Sequence, residues 1–138
     1  MLADIWARLI TRRGDTPPLR ILIVDDDPAT CAFVDRVLRD DGFITATAFD
    51  GPEAFAKAKA EGPFDLLVTD EQMPQWKGHE LVSEIRRLDR GIKVLYLTGH
   101  SDLLFAARGT LWEGEAFVDK PVTAHGLREA IALLVADD

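Results

Sequence analysis

The sequence has a single cysteine, no apolar run of about 20 residues, and fewer basic than acidic side chains. One cysteine excludes an internal disulfide, and the lack of a long apolar run speaks against a transmembrane helix. Sixteen Lys and Arg against 24 Asp and Glu give a net charge of −8, which repels nucleic acid and anionic lipid. Since no secretory signal peptide opens the chain either, we expect a cytoplasmic protein that does not bind nucleic acid.

The 138 residues, 47% of them hydrophobic, suffice for one packed domain. Before that domain, one face of a short predicted helix carries Leu2, Ile5, Trp6, Leu9 and Ile10. This helix could rest on its own domain, pair with a second copy to form a homodimer, or lie on a membrane surface. We therefore divide the chain into an N-terminal amphipathic helix and linker over residues 1–18 and a globular domain over residues 19–138.

Short apolar runs alternate with longer segments of helical spacing along residues 19–138, which predicts an α/β fold. The predicted strands cover residues 19–24, 43–47, 64–69, 92–97 and 116–118. The five predicted helices open near residues 28, 51, 78, 101 and 124, most of them after a capping or proline signal. Cys31 and Phe33 in the first helix and Leu88 in the third are expected to be buried. The strand runs are continuous, as is typical of parallel strands with helices on both faces.

Polar side chains follow four of the five predicted strands. Asp25 and Asp26 come after the first, Asp70 after the third, Thr98 after the fourth and Lys120 after the fifth. Because the carboxyl ends of parallel strands meet at one edge of the sheet, these side chains should lie close together. Three carboxylates at close range repel each other, so the site must raise their pKa values or bind a cation. An all-oxygen donor set suits Mg²⁺ better than zinc.

The same residues suggest a phosphoryl acceptor. Lys120 supplies a positive charge and Thr98 a hydroxyl, which together with a cation can cradle the equatorial oxygens of a phosphoryl group. Asp70 stands alone at the head of a long loop, whereas Asp25 and Asp26 are adjacent and form a cation clamp. Asp70 is therefore the expected nucleophile.

Four motifs resemble the receiver domain of two-component response regulators. They are ILIVDDDP at residues 21–28, DLLVTDEQMP at residues 65–74 with Gly78 four residues further on, LTG at residues 97–99, and FVDKP at residues 117–121. The resemblance covers residues 19 to 136 and implies a doubly wound, flavodoxin-like sheet of five parallel strands in the order 2-1-3-4-5, with the N-terminal helix as an addition.

The resemblance also implies roles for individual residues. Asp70 would accept a phosphoryl group from a sensor histidine kinase or a histidine phosphotransfer protein. Asp26, Asp70 and the main-chain carbonyl of Gln72 would bind Mg²⁺ directly, and Asp25 would bind it through water.

Three further residues would form a switch around the phosphoryl group, and Pro121 would have a structural role. Lys120 and Thr98 would contact its oxygens, Phe117 would change rotamer with Thr98, and Pro121 would follow a cis peptide bond. The loop reading QWKG at residues 75–78 departs from the family, because a bulky Trp76 and a basic Lys77 stand where smaller and acidic residues are usual.

We expect a stand-alone receiver that signals to a protein partner and catalyses only its own phosphorylation and dephosphorylation. A phosphorelay intermediate, a phosphate sink and a phosphorylation-independent pseudo-receiver are the alternatives. The pseudo-receiver would be expected to lack one of the site residues, and none is lost here. An aspartyl phosphatase would want a second acid where Gln72 stands, and a P-loop enzyme is excluded because its glycine-rich motif does not occur.

Overall fold

The computed structural model describes residues 17–99 and 113–136. The strands are β1 (Arg20–Val24), β2 (Ile44–Ala48), β3 (Leu66–Asp70), β4 (Lys93–Thr98) and β5 (Glu115–Asp119). The helices described are α1 (Pro28–Asp40), α2 (Gly51–Glu61), α3 (Gly78–Leu88) and α4 (Ala124–Val135). The predicted N-terminal helix and the predicted helix over residues 101–108 lie outside the described residues. None of the helices described is long and apolar enough to cross a bilayer.

The five strands form one parallel sheet in the order β2-β1-β3-β4-β5, which confirms the order that the family resemblance implies. The register pairs Val24 with Thr69, Asp70 with Leu97, and Thr98 with Asp119. The ends of β1, β3, β4 and β5 are therefore nearly level. This alignment brings the residues that follow those strands to one edge of the sheet.

Helices cover both faces of the sheet. One core lies between the sheet and helices α1 and α4, and the other between the sheet and helices α2 and α3. Cys31 is buried in α1 as predicted, but Phe33 and Leu88 were wrongly predicted to be buried, since 41% and 49% of their surfaces are exposed. Both residues stand at the margin of the apolar stripe of their helix, where the 3.6-residue period turns them toward solvent.

Three of the helices begin where the sequence places a capping side chain. The carboxylate of Asp27 accepts a hydrogen bond from the Ala29 amide at the start of α1. Asp50 likewise accepts from the Glu53 amide, and the Thr123 hydroxyl accepts from the Gly126 amide. Each cap satisfies an amide that has no partner within the helix. The starts of α1, α2 and α4 are thereby fixed at the edge where the strands end.

Candidate functional site

Three aspartates meet at the carboxyl edge of the sheet. Asp25 directly follows β1, Asp26 comes next, and Asp70 is the last residue of β3. One carboxylate oxygen from each lies within 4.8 Å of the others. Asp25 and Asp70 are buried and Asp26 is exposed. The cluster is therefore open to solvent on the Asp26 side and closed by the sheet on the other.

Lys120 is the positive charge that faces these aspartates. Its Nζ lies 2.9 Å from Asp25 Oδ2 and 3.5 Å from Asp70 Oδ2. The Lys120 amide donates a 2.9 Å hydrogen bond to the Thr98 carbonyl, which fixes the backbone after β5 against the end of β4. One ammonium thus bridges the two buried carboxylates.

Burial and mutual repulsion shift the pKa values of the site. The pKa of Asp70 is raised to about 7, mainly by burial and then by the charge of Asp25, and Lys120 only partly opposes these two effects. Burial also raises the pKa of Asp25. Burial lowers the pKa of Lys120, but its contacts with Asp25 and Asp70 outweigh that effect and raise the pKa overall. The single charge of Lys120 therefore does not fully stabilise the ionised forms of the two buried carboxylates.

A hard divalent cation fits this donor set. The three acids offer only oxygen ligands, and the buried Asp25 Oδ2 contacts the Lys120 ammonium at 2.9 Å. Burial raises the pKa values of Asp25 and Asp70 even with Lys120 present, so a further cation would stabilise their ionised forms. Three carboxylates against one ammonium also leave negative charge to neutralise. Asp25, Asp26 and Asp70 are therefore the residues that could hold a metal ion.

Lys120→Met is expected to raise the pKa of Asp70 above about 7, because the lysine charge is what lowers it. The pKa can be followed by a ¹³C NMR titration of the aspartate carboxyl groups without added metal. Lys59→Met, on helix α2, is the matched control and should leave the Asp70 titration unchanged. A value at or below about 7 in the Lys120→Met variant would contradict this account of the site.

The other predicted site residues also lie at this edge. Thr98 ends β4 and is fully buried, and Phe117 in β5 pairs in register with Tyr96 and packs on the core beneath α2 and α3. The Lys120–Pro121 peptide bond is cis, in agreement with the expectation. Gln72 follows two residues after β3, and its amide donates to Asp70 Oδ1 over 3.3 Å. The predicted residues are thus brought together, while their chemical roles stay predictions.

The loop after Asp70 contains a side-chain contact between Glu71 and His79 that the sequence did not reveal. The side chain of Glu71 is 1% exposed, and its Oε2 lies 2.5 Å from His79 Nδ1. Its Oε1 accepts a 2.8 Å hydrogen bond from the His79 amide, and its carbonyl accepts one from the Gly78 amide over 2.9 Å. Glu71 therefore fastens the start of α3 to the end of β3. The two residues are eight positions apart, so no local pattern links them.

Two close approaches hold the same loop. A Cβ on Gly78 would lie 2.4 Å from the Asp70 carbonyl oxygen, and one on Gly51 would lie 2.6 Å from Trp76 Cβ. Trp76 also stacks at a tilt on Phe55, with ring centroids 5.9 Å apart. The bulky Trp76 is thus accommodated because a glycine faces it on α2. The loop that follows Asp70 packs directly on α2.

Lys77, the second unusual residue of the loop, has a specific contact. Its Nζ donates to Gln72 Oε1 over 3.3 Å, and its amide donates to Glu80 Oε1 over 2.8 Å. The second bond closes the first turn of α3, since Glu80 is the third residue of that helix. Lys77 therefore connects the two ends of the loop.

Known proteins resemble this chain in both sequence and structure. The family model described as "Response regulator receiver domain" matches residues 21–132. The transcriptional regulatory protein TrcR of Mycobacterium tuberculosis is 34% identical over 122 residues, which are 88% of this chain and 46% of TrcR. A response regulator receiver protein of Anaeromyxobacter sp. is 44% identical over 91 residues, which are 64% of this chain and 38% of that protein.

Among solved structures, TrrA of Thermotoga maritima, determined in complex with Mg²⁺-BeF, superposes with a TM-score of 0.73. It is 31% identical, and the match covers 85% of this chain and 99% of TrrA. The chain spans about half or less of the length of the curated relatives named above. The family match over residues 21–132, the strand order and the aspartate cluster agree, and the chain belongs to the response regulator receiver domain family.

Proposed function

We propose that this chain is a response regulator receiver that accepts a phosphoryl group on Asp70 in a Mg²⁺-dependent reaction. The observation that carries the proposal is the juxtaposition of Asp70 with Asp25, Asp26 and Lys120 at the carboxyl edge of the sheet. The similar protein TrrA was determined in complex with Mg²⁺-BeF, which supports Mg²⁺ as the ion for the aspartate cluster of this chain. The donor would be a phosphohistidine on a sensor histidine kinase or a histidine phosphotransfer protein.

The residues of the site have distinct parts in this reaction. A carboxylate oxygen of Asp70 attacks phosphorus, the bond from phosphorus to the histidine nitrogen breaks, and its electron pair stays on the imidazole. Asp25, Asp26, Asp70 and the Gln72 carbonyl would hold Mg²⁺, which when bound neutralises the charge of the phosphoryl oxygens. An elevated Asp70 pKa means that the acid must lose its proton before it can attack.

Lys120 and Thr98 act on the product. The Lys120 ammonium, which bridges Asp25 and Asp70 before the reaction, can pair with a phosphoryl oxygen once the Asp70 carboxylate has become an acyl phosphate. The Thr98 hydroxyl would donate to another oxygen, and Phe117 would follow it. This exchange of partners biases the protein between two conformations and is the proposed signal to a protein partner.

The chain would catalyse only its own phosphorylation and dephosphorylation, because the proposed chemistry takes place on Asp70 and uses no second binding site. A cytoplasmic location is part of the same proposal. The retention of Asp26, Asp70, Thr98 and Lys120 together favours this function over a phosphorylation-independent pseudo-receiver.

Acetyl phosphate with Mg²⁺ is expected to add about 80 Da to the full chain, as measured by intact-protein mass spectrometry. Chelation with EDTA should prevent the addition, because the acidic cluster then repels the incoming phosphoryl group. A Lys59→Met variant, in which a lysine on helix α2 is replaced, is the matched control and should be labelled like the wild type. A chain that gains no mass with Mg²⁺, or gains it equally with EDTA, would contradict the proposal.

A further inference from the structure

Strand β2 is an edge of the sheet in the part of the chain that the structure describes, with β1 on one side only. The Ile44 amide donates to the Leu19 carbonyl, and the Ala48 carbonyl accepts from the Asp25 amide. Main-chain groups alternate in direction along a strand, so every second residue of β2 directs its amide and carbonyl away from β1. These outward residues are Thr45, Thr47 and Phe49. We call their main-chain groups the β2 edge.

The β2 edge has the properties of a surface that could pair with a second copy of this chain. Ile44 and Phe49, at its two ends, are 46% and 48% exposed. Helices α1 and α2 both contact β2, and each carries two basic and two acidic side chains, although the whole chain has a net charge of −8. Two copies would therefore meet here with little repulsion. An antiparallel β2–β2 pair about a two-fold axis would join their sheets.

Two side chains of α2 occupy the β2 edge. The Lys57 ammonium donates to the Thr47 carbonyl, in the middle of the edge. The Glu53 carboxylate accepts a 2.7 Å hydrogen bond from the Phe49 amide, at one end of the edge. The two side chains lie on the same face of α2, since they are four residues apart. A strand from another molecule would have to displace them before it could bond to these main-chain groups.

Of these two contacts, only that of Lys57 has no local explanation. The Glu53 amide also donates to the Asp50 carboxylate over 2.8 Å, so Glu53 takes part in the cap that begins α2. Lys57 stands in the middle of α2, ten residues from Thr47, and forms no ion pair with a carboxylate among the described residues. Its hydrogen bond goes to a carbonyl that a neighbouring strand would otherwise use.

We propose that Lys57 closes the β2 edge against pairing with a second copy of this chain. Its ammonium satisfies the central outward carbonyl, and a charge placed there would have to be desolvated if another strand approached. Without the ammonium, the Thr47 carbonyl becomes an acceptor for an amide of the second copy. This role involves no residue of the Asp70 site.

Sedimentation velocity of the full chain tests this role over a roughly hundredfold range of concentration. Lys57→Met removes the ammonium and leaves an unbranched apolar side chain. We expect this variant to form dimers whose fraction rises with concentration and exceeds that of the wild type at least about fivefold at the highest concentration. Lys59→Met changes the charge of the same helix equally, and Lys57→Arg keeps a charged donor, so both should sediment like the wild type.

Thr45→Pro identifies the surface that associates. Thr45 directs its amide away from β1, so a proline there removes a donor of the edge without the loss of a bond to β1. Added to Lys57→Met, Thr45→Pro should restore the monomer. Thr45→Val is its control, because it also removes the hydroxyl that donates to Asp35 over 2.6 Å but keeps the amide, and it should leave the dimer intact. Circular dichroism shows that each variant keeps its fold.

Three results would overturn this role. A Lys57→Met variant that sediments like Lys59→Met over the whole range would mean that Lys57 does not keep the edge closed. Dimers of Lys57→Met that persist with Thr45→Pro would mean that the chain associates through another surface. A wild type that itself forms dimers sensitive to Thr45→Pro would mean that the β2 edge is open although Lys57 is present.

Discussion

Replacing Asp70 by Asn is expected to abolish phosphoryl acceptance and to stabilise the metal-free protein by about 2–4 kcal/mol at pH 8. The amide cannot attack phosphorus as a carboxylate does, so the mass gain with acetyl phosphate should disappear. The stabilisation follows from the buried charge that the wild type must carry. A carboxylate whose pKa rises from 3.8 to about 7 costs the folded state up to about 4 kcal/mol once ionised.

The stabilisation by Asp70→Asn should increase with pH, because the buried carboxylate of the wild type ionises as the pH rises. Between pH 4 and pH 7 the folded protein holds the Asp70 proton while the unfolded chain releases it. The stability contributed by protonated Asp70 is complete below the unfolded pKa and is lost as the pH rises through about 7. The advantage of Asp70→Asn should therefore shrink to less than about 2 kcal/mol at pH 5.

Urea unfolding of both proteins at pH 5 and pH 8, followed by circular dichroism, measures this difference. Added Mg²⁺ provides an internal control, since a cation that binds only the folded wild type stabilises it by about 2.7 kcal/mol at 100 times its dissociation constant. The Asp70→Asn variant should gain less from Mg²⁺. If it were no more stable than the wild type at pH 8 without metal, Asp70 would not carry an unfavourable charge.

Gly78→Ala is expected to lower the free energy of unfolding by at least about 2 kcal/mol, although alanine is the better helix former. The added Cβ would lie 2.4 Å from the Asp70 carbonyl oxygen and 3.0 Å from Glu71 Cα. Both are backbone atoms of the segment that carries the phosphoryl acceptor, so relief requires Asp70 to move. The rate of phosphorylation by acetyl phosphate should fall together with stability.

Gly91→Ala is the matched control for this substitution. Its added Cβ would find only Asp89 Oδ1, at an ordinary distance of 3.7 Å. We expect its free energy of unfolding to stay within about 0.5 kcal/mol of the wild type and its phosphorylation rate to be unchanged. Equal losses in the two variants would mean that the close approach at Gly78 does not constrain Asp70.

The sheet and the aspartate cluster follow from the sequence because each depends on a local pattern and one general rule. Continuous apolar runs predict covered parallel strands, and the rule that ligands bind at the carboxyl ends of strands brings Asp25, Asp70 and Lys120 together. Strand limits were one or two residues off, as for β5, which extends from Glu115 to Asp119. The runs mark the buried part of a strand, and its hydrogen-bonded ends are polar.

Contacts between distant residues could not be predicted in this way. The Glu71–His79 pair requires the intervening loop to fold back, and the Trp76–Gly51 contact joins a loop to a helix 25 positions earlier. Neither contact leaves a periodic signal. Phe33 and Leu88 were misjudged for a related reason, because hydrophobicity predicts a helix face but not where the covering layer ends.

The return of α4 to the starting edge of the sheet has a practical consequence. Lys93, at the start of β4, donates from Nζ to the Leu134 carbonyl near the end of α4 over 2.9 Å. Residues 17 and 136 therefore both stand at that edge, separated from Asp70 by the length of a five-residue strand, roughly 13–17 Å. A chip or bead coupled through residue 17 or residue 136 would present Asp70 outward, and phosphotransfer could be recorded on immobilised protein without obstruction by the anchor.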